Sequence, residues 1–205
     1  MISLQNINYF FAKCSTYAVV IPILLSIYKY KAFDKTSKAL FVYLLCILFF
    51  EIEIWTNIPS SVFTLCEYIC IYCMFYFTSQ LKFITKYLKY IAFLFFAFTI
   101  TELILWPEED YLIMVEYFLI IALSLLYYFE LLKNLNVPTL SNYPFFYFNT
   151  AFLIYFCGSF FIFLFSKQVT YLDKTIIKSI TLFHSLLNIF YLSLITIGIW
   201  KVNKK

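Results

Sequence analysis

The sequence has no arginine, one histidine (His184) and only two glycines, Gly158 and Gly198. Without guanidinium forks to grip phosphate and guanine, nucleic-acid recognition drops out. Two isolated glycines build neither a phosphate-cradling loop nor a G-x-S-x-G elbow. One histidine gives no H-E-x-x-H pair and no multi-histidine zinc centre, so no metal or cofactor is expected. Charge is scarce as well, at 13% of residues against 64% hydrophobic, with a mean hydropathy of +0.88. A soluble domain carries about 25% charged residues, so this composition reads as an integral membrane protein. The abundance of Lys, Asn, Ile, Phe and Tyr is what an AT-rich genome produces, which accounts for the missing arginine without a functional reason.

What is present is a succession of apolar runs. At about 20 residues per span, the 205-residue chain accommodates about seven spans with short loops, and no attached soluble domain is expected. The expected spans are about 9–28, 38–57, 60–79, 88–106, 110–132, 144–166 and 175–200, forming a single all-α integral membrane bundle. The first run lacks a small-x-small exit and reads as a retained span rather than a cleaved signal. Within it Lys13 can snorkel, and Pro22 predicts a kink. Pro144 suits the first turn of the sixth span. The six cysteines lie inside apolar runs, where they read as small packing residues rather than a disulfide frame. No repeat and no linker divides the chain.

Orientation follows from lysine. With the N-terminus outside, the inner segments hold eleven lysines and the outer segments four. The turns at 57–61 and 106–110 hold none. The reading is N-out/C-in, multi-pass, in a bacterial plasma (inner) membrane, with the lipid bilayer as the first partner.

The acids inside the spans carry the functional argument, because an ionisable residue at membrane depth is a site hypothesis by default. A helix rises about 1.5 Å per residue, which puts Glu67 about 10 Å and Glu116 about 9 Å below the outer surface. On helices running the other way, Glu51 and Glu102 come to about 6–9 Å, and His184 to about 13 Å with Asn188 a turn deeper. Four helices thus contribute a glutamate to one outer layer, with the single histidine beneath it. The three aspartates, Asp34, Asp110 and Asp173, fall in connections. With no lysine expected at that depth, the carboxyls must be protonated, hydrated or holding a cation. Tyr68, Tyr72, Tyr117, Tyr127, Tyr155 and Tyr191 are candidate donors or ring faces for such a group.

A plainer account stands beside this one. Glu53 and Glu102 are close enough to helix ends to reach interfacial water, and polar side chains pair across membrane helices simply to stay satisfied. His184 with Asn188 one turn on, together with Thr181 and Tyr191, forms a stripe that suits helix packing as well as ligand binding. Asn149 reads as helix–helix glue. The seventh span has lysine only at its ends, which disfavours a retinal Schiff base, and no paired aspartates suggest intramembrane proteolysis.

Three stretches carry a resemblance: FTLCEY around Glu67, PFFYFNTAFLIYFCGSFFIFLFS at 144–166, and LFHSLLNIFYLSLITIGIWK at 182–201. In these the chain resembles a family of small bacterial membrane proteins of seven predicted helices, for which no activity is established. The resemblance implies architecture and site position only, and singles out Glu67, Asn149, Tyr155, His184 and Asn188, with Glu116 less directly. Phe63 stands where that family's pattern often has Tyr, so a Tyr–Glu hydrogen bond from that position is not available here.

The leading functional expectation is a membrane sensor or receptor-like module. A small ligand, cation or proton would meet Glu67, Glu116 and His184 from the outer face, and the signal would pass to a separate cytoplasmic or membrane partner. A proton- or cation-coupled transporter or channel is the alternative, weakened by the few polar groups expected in the inner half beyond Asn149 and Asn188 and by the lack of an inverted repeat. A lipid-modifying enzyme is the third, and it lacks an identifiable nucleophile or metal.

Overall fold

The computed structural model describes residues 4–51, 60–78, 82–105, 111–134, 140–165 and 174–202. Its helices are α1 (Leu4–Ala18), α2 (Val20–Lys29), α3 (Lys35–Glu51), α4 (Ser60–Phe77), α5 (Lys82–Leu105), α6 (Tyr111–Asn134), α7 (Pro144–Leu164) and α8 (Lys174–Lys201). Apart from single 3-10 turns at Tyr30–Ala32 and Leu140–Asn142 and the short connections, the described residues are α-helical.

Pro22 explains why α1 and α2 are separate segments. Its ring crowds the carbonyl four residues back, at Ala18, and it has no N–H to offer. The ladder stops at Ala18 and resumes with the Ile23 amide donating to the Val19 carbonyl at 3.3 Å. Val19 itself stays right-handed helical, at φ −63° and ψ −22°, so the rod continues through the break. Counting this rod once, the described residues form seven helical rods. Four stretches are long and apolar enough to cross a membrane: Asn6–Ala32, Tyr111–Lys133, Pro144–Leu164 and Thr175–Lys201. Ser61–Phe77 is apolar but shorter.

Most boundaries fall near the expected ones. The stretch 52–57 of the second expected span, with Glu53, lies outside the described residues, as does the acidic turn at 106–110. The fourth helix begins at Lys82 rather than 88. Lys82, Lys86 and Lys89, expected as a connection, lie in its opening turns, which lysine's good helix propensity permits.

Two helix starts are built by their sequence. Asp34 caps α3, its Oδ1 accepting the Ser37 amide at 2.9 Å, the N3 position that an N-cap side chain serves. Pro144 occupies the first turn of α7 behind an extended Tyr143, the backbone region that a following proline favours.

Rods consecutive in the chain, such as α3 and α4, run in opposite directions, whereas the α1–α2 rod and α8 pack side by side and run the same way. At one end Lys29 donates to the carbonyls of Trp200 and Val202, and Thr36 at the start of α3 meets Thr78 after α4 at 3.5 Å. At the other end Asn8 of α1 donates to the Lys178 carbonyl of α8 at 2.8 Å. The first is the lysine-rich end, the second the far end. α7 packs between α6 and α8, α3 lies on α4, α4 and α5 contact α6, and α1 and α2 both line α8.

The packing is inverted relative to a soluble protein. Phe93, Leu94, Phe118, Phe129, Phe161 and Trp200 are more than half exposed, while Glu67 and Glu116 are only 6% and 1% exposed. Outward aromatic and aliphatic surface on this scale needs an apolar solvent. Outward hydroxyls are hidden by bonding to their own helix: Thr101, Thr181 and Ser193 each donate to the carbonyl four residues back. That is what backbone and side-chain polar groups require in hydrocarbon.

Candidate functional site

The site assembles where α3, α4, α6, α7 and α8 meet, in the half of the bundle towards the far end. Glu67 comes from α4, on the buried face that also carries Thr64, Tyr68 and Ile71. Its Oε1 accepts a hydrogen bond from the Tyr43 hydroxyl of α3 at 2.7 Å. The Tyr43 oxygen in turn accepts from the Tyr191 hydroxyl of α8 at 2.9 Å. Three helices are therefore joined by one relay, Tyr191 to Tyr43 to Glu67, and all three residues are buried.

Glu116 comes from α6, which packs against α4; it too is buried, within electrostatic reach of Glu67. Its Oε1 is buried without a hydrogen-bond partner, and so is the Tyr68 hydroxyl, which is within electrostatic reach of Glu116. Tyr117 stands near Glu67, Glu116 and Tyr155.

Rings close the compartment. Tyr68 stacks on Phe95 with centroids 3.8 Å apart. Tyr155 lies against Tyr191 at 4.7 Å, and Phe152 contacts both Tyr43 and Tyr191 at 6.1 Å. On the far-end side Tyr155 meets the His184 ring at 6.0 Å, and His184 is half-buried. Chemically this is a pair of carboxyls with phenolic donors and ring faces around them, a setting that holds a proton or a cation. Among the described residues no group of three or more His, Cys, Asp or Glu could hold a metal ion.

The other expected site residues go elsewhere. Asn188 donates to the Ser15 hydroxyl at 2.9 Å and ties α8 to α1. Glu102 accepts the Leu112 amide at 2.8 Å, so the end of α5 caps the start of α6, where a carboxylate meets both an orphan N–H and the positive end of the helix dipole. Asn149 donates to the Ser124 carbonyl at 3.2 Å and links α7 to α6. Thr181 faces outward and bonds its own helix, which removes it from the proposed stripe. Glu51 closes α3, and its side chain lies outside the described residues, with Glu53.

No family model, curated protein or solved structure matches this chain. Geometry alone carries the functional reading.

Two residues were missed by reading the sequence. Tyr43 is not among the donors the sequence offers, because depth points away from it: fourteen residues before the expected span end at 57, it comes to about 21 Å, well below the level expected for Glu67. Tyr43 nevertheless supplies from a neighbouring helix the phenol that Phe63 cannot. Glu130 is the other. It sits near the end of α6 close to Lys133, where a carboxylate reads as interfacial, but it is buried.

Proposed function

We propose that the chain is a seven-span, N-out/C-in protein of a bacterial inner membrane and acts as a sensor or receptor-like module. The Glu67/Glu116 compartment takes up a proton or small cation from the outer face. Occupancy changes how α3, α4, α6 and α8 are held together, and the lysine-rich end passes that change to a separate signalling partner. The observation that carries this reading is the juxtaposition of two buried carboxyls from different helices, one held by Tyr43 and the other with an unpartnered oxygen. Two buried carboxyls within electrostatic reach of one another in hydrocarbon are coupled, so that the charge on either depends strongly on a proton or cation taken up by the other. The relay spreads that dependence to α3 and α8. A proton- or cation-coupled transporter is the second reading, favoured by the buried polar atoms on α6 and α7 in the other half of the bundle.

The test is a pH titration of the purified protein in nanodiscs, followed by the carboxylic C=O infrared band and by the thermal midpoint. A pH-dependent signal in the wild-type protein that disappears in both Glu67→Gln and Glu116→Gln supports the site. An unchanged titration in both variants refutes it. Proton flux into proteoliposomes, abolished by the same substitutions, selects the transporter over the sensor.

A further inference from the structure

Beside the two-carboxyl compartment, α3 and α4 also bring thiols together. All six cysteines are free, and each is partly exposed. Cys46 stands on α3, while Cys66, Cys70 and Cys73 follow one another at helical spacing on α4. Two contacts set the register of this antiparallel pair. Thr36 meets Thr78 at one end, and the Phe50 and Phe63 rings lie 5.0 Å apart at the other. Counted inwards from either contact, Cys46 falls opposite residues 67–68, between Cys66 and Cys70. Cys70 is the partner it takes. The two thiols share a hydrogen bond across the helix interface, and Cys66 lies within electrostatic reach of Cys46.

A disulfide needs its sulfurs about 2 Å apart, and thiols already in contact approach that by rotation about their Cα–Cβ bonds. The bond would sit beside the relay. Cys46 is three residues after Tyr43 and Cys70 three after Glu67, so a crosslink would pin α3 to α4 one turn from the Tyr43–Glu67 hydrogen bond.

Access decides which oxidant can close it. Val42, Leu45, Phe49 and Ile69, which flank the pair along the two helices, are exposed and apolar. Counted from Glu51 and Ser60 at the helix ends, the thiols lie about 8 Å and about 15 Å in. With α3 and α4 in the bilayer, a charged oxidant does not reach that depth, whereas a neutral, lipid-soluble one does. We propose that Cys46 and Cys70 form a dithiol/disulfide pair whose oxidant is a lipid-soluble quinone. Two S–H bonds break and one S–S bond forms, and the two electrons and two protons released reduce the quinone to its quinol. The pairing stands on the thiol contact; only the route of the oxidant rests on the seven-span reading.

The experiment incubates the full chain in nanodiscs with decylubiquinone, whose ring has no free position for thiol addition. The protein is then denatured in SDS and its free thiols are counted with a maleimide–polyethylene glycol label. Wild-type protein should lose two of its six labels and recover them with dithiothreitol. Proteolysis and mass spectrometry should give a peptide pair linked through Cys46 and Cys70. Cys46→Ala and Cys70→Ala should each keep all their remaining labels, while Cys66→Ala should still lose two. Should an alanine variant fail to fold, the linked peptides of the wild-type protein decide the pairing. No loss in wild-type protein overturns the proposal, as does a loss that persists in Cys70→Ala, a linkage through Cys66, or a link between two copies of the chain. Oxidised glutathione, a charged disulfide, should leave all six thiols free. If it closes the pair as readily as the quinone, the oxidant is water-borne, and the quinone assignment falls together with the placing of α3 and α4 in the bilayer.

Discussion

Deleting one oxygen from Tyr43 tests the relay that organises the site. In Tyr43→Phe the ring remains, so its edge contact with Phe152 at 6.1 Å is preserved. What is lost is the 2.7 Å bond to Glu67 and the 2.9 Å bond from Tyr191. Interhelical hydrogen bonds in membrane proteins average about 0.6 kcal/mol. A buried polar group left unpartnered costs about 1–3 kcal/mol. Glu67 and Tyr191 are 6% and 1% exposed, so neither can turn to water, and the larger figure governs. With two groups stranded, Tyr43→Phe should cost about 2 kcal/mol. Tyr191→Phe breaks one bond and leaves Tyr43 on Glu67, so it should cost about 1 kcal/mol. In the double variant the stranded Tyr191 hydroxyl is itself gone. The pair should therefore cost no more than Tyr43→Phe alone, about 1 kcal/mol short of additivity. Equilibrium unfolding in mixed micelles by SDS titration, read by helical circular dichroism on all four proteins, measures each value. Simple additivity, or a larger cost for Tyr191→Phe than for Tyr43→Phe, would falsify the relay.

Two further substitutions probe the frame around it. Glu102→Ala removes the acceptor at the start of α6 and should cost about 1 kcal/mol in the same unfolding assay, while Glu102→Gln, which keeps an oxygen for the Leu112 amide, should recover most of it. Gly198→Ala should cost about 1–3 kcal/mol, because the new Cβ would meet the Phe148 ring and come within 3.1 Å of the Tyr147 Cβ, forcing α7 and α8 apart. Gly158→Ala meets only the Leu187 methyls, which can rotate away, and should cost less; the reverse order would contradict the close approach at Gly198.

The rods were legible in the sequence because hydropathy and proline speak locally. Pro22 announced the break at Ala18, and Pro144 the start of α7. Depth was legible too, since the rise per residue fixes the level of each acid. Azimuth was not. A helix such as α7, apolar on nearly every side, offers no polar face from which to infer its neighbours. Hence the sequence indicated that Glu67 and Glu116 share a level, but not that Tyr43 would be the donor or that Glu102 would turn to α6. Asn188 illustrates the same limit: its amide reaches Ser15 of α1. Glu130 escaped for a different reason. Three residues from Lys133, it has the look of headgroup charge, and only the packing of α6 in the bundle draws it inside.

The clasp made by Lys29 has a consequence for assembly. Its ammonium occupies the last carbonyls of α8, whose unmet acceptors would otherwise end in the membrane boundary, and it also lies 5.0 Å from the Trp200 ring. Two rods about 170 positions apart in the chain are thus locked together, so the flank of α1 and α2 that faces α8 stays uncovered until α8 has been made.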